Sequence, residues 1–151
     1  LIDWRTSRED LKGEAGVSYL VRTDNGSILF DVGFNDKRSD PSPLLHNMKQ
    51  LGITVDDFQS IVISHNHGDH VGGSKWQRRR SFSLTDHQID LKKKAVYTPI
   101  PMTYPGIDPI CSDKPTIVAD GVATIGTIPN QDFLAGWILE QRWQLMSWER
   151  A

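Results

Sequence analysis

Cysteine is nearly absent. Cys111 is the only one in 151 residues, which excludes an internal disulfide framework and makes a reducing, cytoplasmic setting the expected one. Long apolar runs are missing too, none approaching the roughly 20 residues that cross a bilayer as a helix. No charged-then-apolar leader opens the sequence, but it starts at Leu1 and not at Met, so that observation excludes nothing. Excess charge of one sign is also lacking: the formal total is −2, so wholesale electrostatic binding to nucleic acid or to an anionic membrane is not expected. Histidine gives out after His87. What is present is a soluble, globular composition, 38% hydrophobic and 24% charged, in a length that suits one domain over residues 1–151.

Two β-prone runs, Gly16–Thr23 and Ser27–Val32, flank Asp24-Asn25-Gly26 and read as a hairpin. Pro41 and Pro43 introduce a short helical pattern over Leu44–Leu51 that Gly52 stops. Thr54 looks like the cap of a second helix start at Thr54–Asp57. Ser60–Ser64 is a short apolar run after helical segments, the pattern of a buried parallel strand. Further on, Ser74–Arg80 and Leu84–Lys94 are expected as helices and Ala95–Thr98 as a strand. Pro99 through Pro115 holds five prolines and is expected to be an irregular excursion, not a packed element. Thr116–Ala119, Val122–Gly126 and Trp137–Leu139 look like strands. An α/β class follows.

At the carboxyl end of the apolar run lies His65-Asn66-His67-Gly68-Asp69-His70, where open α/β sheets normally build sites. Three of the five histidines and an aspartate fall within six positions. His65 and His67 are two apart, so an extended backbone points them the same way toward one ion. Asp69 and His70 follow a glycine that lets the chain turn toward a second. Imidazole suits zinc, iron or nickel, and the carboxylate adds a hard anionic oxygen. Two ions about 3.5–4 Å apart can share and deprotonate a water, and Asp69 is placed to orient that nucleophile or take its proton. A histidine-rich surface loop is the plain alternative, but four potential ligands at this spacing, between a buried strand and Gly72-Gly73, favour metal.

This pattern resembles the metallo-β-lactamase superfamily, whose signature is His-x-His-x-Asp-His after a core strand. Gly16–Gly33, Leu44–Gly52 and Ser64–Gly73 resemble one branch in particular, that of ribofuranosylaminobenzene 5′-phosphate synthase-like proteins; Pro115–Pro129 and Gly136–Gln141 match it less specifically. The resemblance implies the N-terminal portion of an αββα sandwich, with His65 and His67 on a first metal and Asp69 and His70 on a second. The metal would be Zn2+, one or two ions, with Mn2+ or Fe2+ as alternatives. It implies a hydrolase in which metal-bound hydroxide attacks an ester, lactone, amide or phosphoester of a small-molecule substrate. Asp31, in Phe30-Asp31-Val32-Gly33, matches a family position beneath the metal loop that supports the ligands; equally, it could end a strand and accept turn hydrogen bonds. A complete family site takes further ligands downstream, two histidines and an aspartate, and Arg142–Ala151 does not continue the pattern. The chain therefore looks truncated before those ligands. The rival reading is a non-catalytic, metal-binding or assembly-forming remnant, with a homo-oligomer covering its open edge.

Other residues weigh less. His46 is expected to pack on its helix and His87 to be solvated. Cys111 is expected to be inert. Arg78-Arg79-Arg80 and Lys92-Lys93-Lys94 read as solvated faces before they read as phosphate or nucleic-acid sites. Trp137, Trp143 and Trp148 could mark an exposed apolar surface.

Overall fold

A computed structural model describes residues 1–129, 141–142 and 145–147. The hairpin forms as expected: β1 (Tyr19–Thr23) pairs antiparallel with β2 (Gly26–Phe30), Thr23 opposite Gly26, leaving Asp24-Asn25 as the two-residue turn. β2 stops at Phe30 because Asp31 takes a left-handed φ of 57°, which aspartate tolerates better than most residues.

α1 (Pro43–Gln50) starts where Ser42 Oγ accepts the Leu45 N–H at 3.1 Å, and Pro43 supplies a preset φ at its first position. Gly52, at φ 66°, ends it. Thr54 does cap, with Asp57 returning a bond to the Thr54 N–H at 2.7 Å. Only a single 3-10 turn, Val55–Asp57, follows. Phe58 is fully buried in extended conformation and already leads into the next strand; burying such a ring contributes about 1.5–3 kcal/mol.

That strand, β3 (Ser60–Val62), is buried at every position and lies parallel to β2 on one side and β4 (Ala95–Thr98) on the other. Between them run α2 (Gly68–Val71) and α3 (Ser74–Arg78). β5 (Ile110–Cys111) completes a five-stranded sheet in sequence order. Alternate residues feed two cores. Leu29, Ile61, Ile63 and Val96 pack with Leu44 and Met48 of α1, Val71 of α2 and Trp76 of α3. Ile28, Val62 and Tyr97 face the other way, onto Val118, Ala119 and Val122. Those last residues belong to β6 (Pro115–Ala119) and β7 (Val122–Ile125), which with β10 (Leu145–Ser147) form a second, antiparallel sheet ordered β10-β7-β6. β8 (Ile128–Pro129) and β9 (Gln141–Arg142) pair separately. Helices, mixed sheet and antiparallel sheet thus stack in the order α-β-β, the expected partial α/β sandwich. Among the described residues no helix is long and apolar enough to cross a membrane.

Two expectations are corrected. Leu84–Lys94 is not a helix. Leu84 and Leu91 are both buried in the first core, and the backbone between them finds partners outside itself. Tyr104 Oη accepts from the Ile89 N–H at 3.1 Å and donates to the Ile89 carbonyl at 2.7 Å, Asp90 accepts from the Lys92 N–H at 2.8 Å, and Lys92 and Lys93 sit at φ 53° and 55°. The proline-rich stretch, in turn, is packed: Met102 and Tyr104 belong to the first core and β5 extends the sheet. The proposed strand Trp137–Leu139, with Trp143 and Trp148, lies outside the described residues.

Burial pushes the Tyr104 phenol up to about 12, against its bond to Ile89. Since that is above the ordinary 10.0, the folded state binds the phenolic proton more tightly than the unfolded chain. The stabilisation is whole below about pH 10 and is lost as pH rises toward about 12. Tyr104→Phe is expected to lower the unfolding free energy by about 1–3 kcal/mol at neutral pH and to abolish that alkaline decline, both read from urea melts at stepped pH.

Candidate metal centre

The loop from His65 to Gly73 leaves the carboxyl end of β3 and is stitched to the ends of its neighbours. The Val32 N–H donates to the His70 carbonyl at 3.0 Å, Gly72 N–H to Gly33 at 2.8 Å, and Gly73 N–H to Gly68 at 2.7 Å. Gly16 passes so close that a Cβ there would lie 2.6 Å from the Asp69 carbonyl oxygen, so only glycine fits. Gly72, at φ 87°, is equally constrained: its Cβ would stand 2.1 Å from the Ser83 carbonyl oxygen. Gln77 of α3 supports the loop from outside, accepting the Gly68 N–H at 3.1 Å.

Within this frame His65, His67 and His70 are gathered. Ring centroids of His65 and His67 are 4.8 Å apart, and those of His65 and His70 are 4.0 Å apart. The backbone that achieves this is not extended, as the spacing suggested: the His67 N–H folds back onto the His65 carbonyl at 3.0 Å. Asp69 Oδ2 lies 3.4 Å from His70 Nε2 and its side chain is 46% exposed. These groups, with Val17, Phe30, Asp31 and Ser64, line an open cleft of about 410 Å3.

Asp31 is fully buried beneath the cluster. Its Oδ1 accepts the Ser64 N–H at 2.7 Å; its Oδ2 accepts the Ser64 hydroxyl at 2.6 Å and His70 Nδ1 at 2.7 Å. Burial pushes this carboxyl up, opposed by the bonds from His70 and Ser64. Asp31 ends β2, and its left-handed turn places its carboxylate against the loop.

The remaining candidates are placed elsewhere. His46 Nε2 bonds the Asp10 carbonyl at 2.9 Å, a packing role. His87 stands beside Asp40 at 3.4 Å, 61% exposed, away from the cleft lining. Partial burial and Asp113 push the exposed Cys111 thiol up, away from reactivity. Lys92 pairs with Asp56 at 2.7 Å and Lys94 caps the Phe58 carbonyl at 2.6 Å, so that basic run is anchoring material. Sequence reading missed Ser64, Gly16, Gln77 and Glu14. Glu14 accepts the Phe34 and Asn35 N–H groups at 2.8 Å each, with burial pushing its own carboxyl up. Nothing in the one-dimensional pattern marks these four, since each has a partner 9 to 53 positions away in sequence.

Residues 11–82 match the family model described as the metallo-beta-lactamase superfamily. Residues 11–82 are thus similar to that superfamily. Over 58 residues it is 38% identical to 7,8-dihydropterin-6-methyl-4-(beta-D-ribofuranosyl)-aminobenzene-5'-phosphate synthase of Methanocaldococcus jannaschii, covering 38% of this chain and 19% of that protein. Over 61 residues it is 38% identical to transcription termination factor FttA of Cenarchaeum symbiosum, covering 40% and 10%. The chain thus matches at most about a fifth of the length of these relatives. Among solved structures, a subclass B3 metallo-β-lactamase from a soil metagenome aligns over 87% of this chain and 52% of its own, at 21% identity and a TM-score of 0.46.

Among the described residues no three His, Cys, Asp or Glu side chains are already drawn together closely enough to hold an ion outright. The donor set nevertheless fits one chemically. His65 Nδ1 is bonded to Ser64 and His70 Nδ1 to Asp31, so Nε2 would be the nitrogen of each ring to hold a cation, and the carboxylate of Asp69 is adjacent. Asp31→Asn keeps a residue that tolerates the left-handed turn and is expected to lower stability by about 1–3 kcal/mol. Equilibrium urea denaturation reads this as a lower midpoint with unchanged slope.

Proposed function

We propose that the chain is the metal-binding part of a metal-dependent hydrolase, holding one or two divalent ions, zinc first, on His65, His67, Asp69 and His70. The observation that supports this reading is the convergence of three imidazoles and a carboxylate in one cleft over a buried carboxylate that anchors His70. A divalent ion bound there would supply Lewis acidity and make a coordinated water acidic near neutral pH. The chain's own residues do the rest. Asp31 and Ser64 hold the imidazoles, Val17 and Phe30 provide apolar walls for a substrate, and Asp69, the more exposed carboxylate, takes or orients the proton. The bond cleaved would be an ester, lactone, amide or phosphoester. One relative is named as a 5'-phosphate synthase, which puts phosphate-bearing compounds first in a substrate screen.

Metal analysis of the purified chain is expected to find one or two zinc or manganese ions per molecule, lost in His67→Ala. Turnover of a generic ester or phosphodiester should require the added metal and fall about 100-fold or more in Asp69→Asn. Metal retention with no turnover would instead assign the chain a non-catalytic, metal-binding role, and light scattering would then show whether it assembles with itself.

A further inference from the structure

One hydroxyl touches both ends of the histidine cluster. Ser64 Oγ, on a residue only 6% exposed, lies 2.6 Å from Asp31 Oδ2, 2.9 Å from His65 Nδ1 and 3.4 Å from His70 Nδ1. Counting protons sets the direction of each bond. The hydroxyl has one proton to give, and a carboxylate oxygen only accepts, so Ser64 donates to Asp31. Toward His65 its oxygen is then an acceptor, and His65 Nδ1 must carry a hydrogen. His70 Nδ1, 2.7 Å from the same Asp31 oxygen, carries one as well. Each ring, when neutral, therefore keeps its lone pair on Nε2, the tautomer a metal ligand needs. Ser64 cannot drift from this position, because its own N–H is bound to Asp31 Oδ1 at 2.7 Å.

We propose that Ser64 is a positioning residue that selects the tautomer and ring orientation of His65 and, through Asp31, steadies His70. A single buried hydroxyl thereby couples the two ligand groups, His65 with His67 and Asp69 with His70. The proposal rests on the metal-binding reading above for its purpose, but its geometry is a property of the metal-free chain. Removing the hydroxyl should loosen both groups together, not one of them.

Long-range proton–nitrogen NMR on metal-free, histidine-labelled protein reads each tautomer directly. His65 and His70 are expected as Nδ1–H forms in the wild type; an Nε2–H form for His65 would overturn the proposal before any variant is made. Ser64→Ala is expected to convert His65 to a mixture and to weaken zinc binding about 10–100-fold in a chelator competition, with Ser64→Thr restoring both. Unchanged tautomers and affinity in folded Ser64→Ala would overturn the assignment. Wild-type protein with the expected tautomers but no zinc uptake would sink the metal reading while upholding the tautomer assignment.

Discussion

The buried carboxylate of Asp31 is the contact on which the rest of the site depends. It stands at 0% exposure, a location that would be costly for a charge without partners. It is tolerated because donors converge on it from β3's carboxyl end and from the short helix after it, Ser64 through both N–H and Oγ and His70 through Nδ1. The bonds run both ways in consequence: they satisfy Asp31, and they fix the first and last histidines of the cluster relative to the sheet. A half-satisfied version would be worse than an apolar core, so the network is held as a unit.

The sheet supplies the rigidity this network needs. β3 is covered on one face by α1, α2 and α3 and on the other by β6 and β7, so its direction is set by packing on both sides. The loop that leaves it is then tied laterally to residues 16–17 and 32–33. Glycines at 16 and 72 permit those ties, since a methyl group at either would meet a carbonyl oxygen well inside contact distance. The cleft is consequently a product of backbone proximity as much as of side-chain chemistry.

The hairpin, the capped helix after Pro43 and the buried strand before His65 were legible because each announces itself locally: an Asn-Gly turn, a serine cap followed by proline, an unbroken apolar run. The stretch from Leu84 to Lys94 was misread because its two buried leucines, seven apart, mimic a helical face while Tyr104 takes both backbone groups of Ile89. The proline-rich stretch was misread for the complementary reason: prolines rule out regular elements, but they do not prevent Met102 and Tyr104 from filling the core.

From the sequence alone came the histidine–aspartate cluster, its spacing and the strand that delivers it, because these depend on residues adjacent in the chain. Only the tertiary structure decided which ring nitrogens are anchored and by what. Ser64 sits 33 positions from Asp31 and Gly16 53 positions from Asp69, and no periodicity encodes a contact between strand ends. Such contacts exist only once the parallel pairing of β2 with β3 has brought those ends side by side.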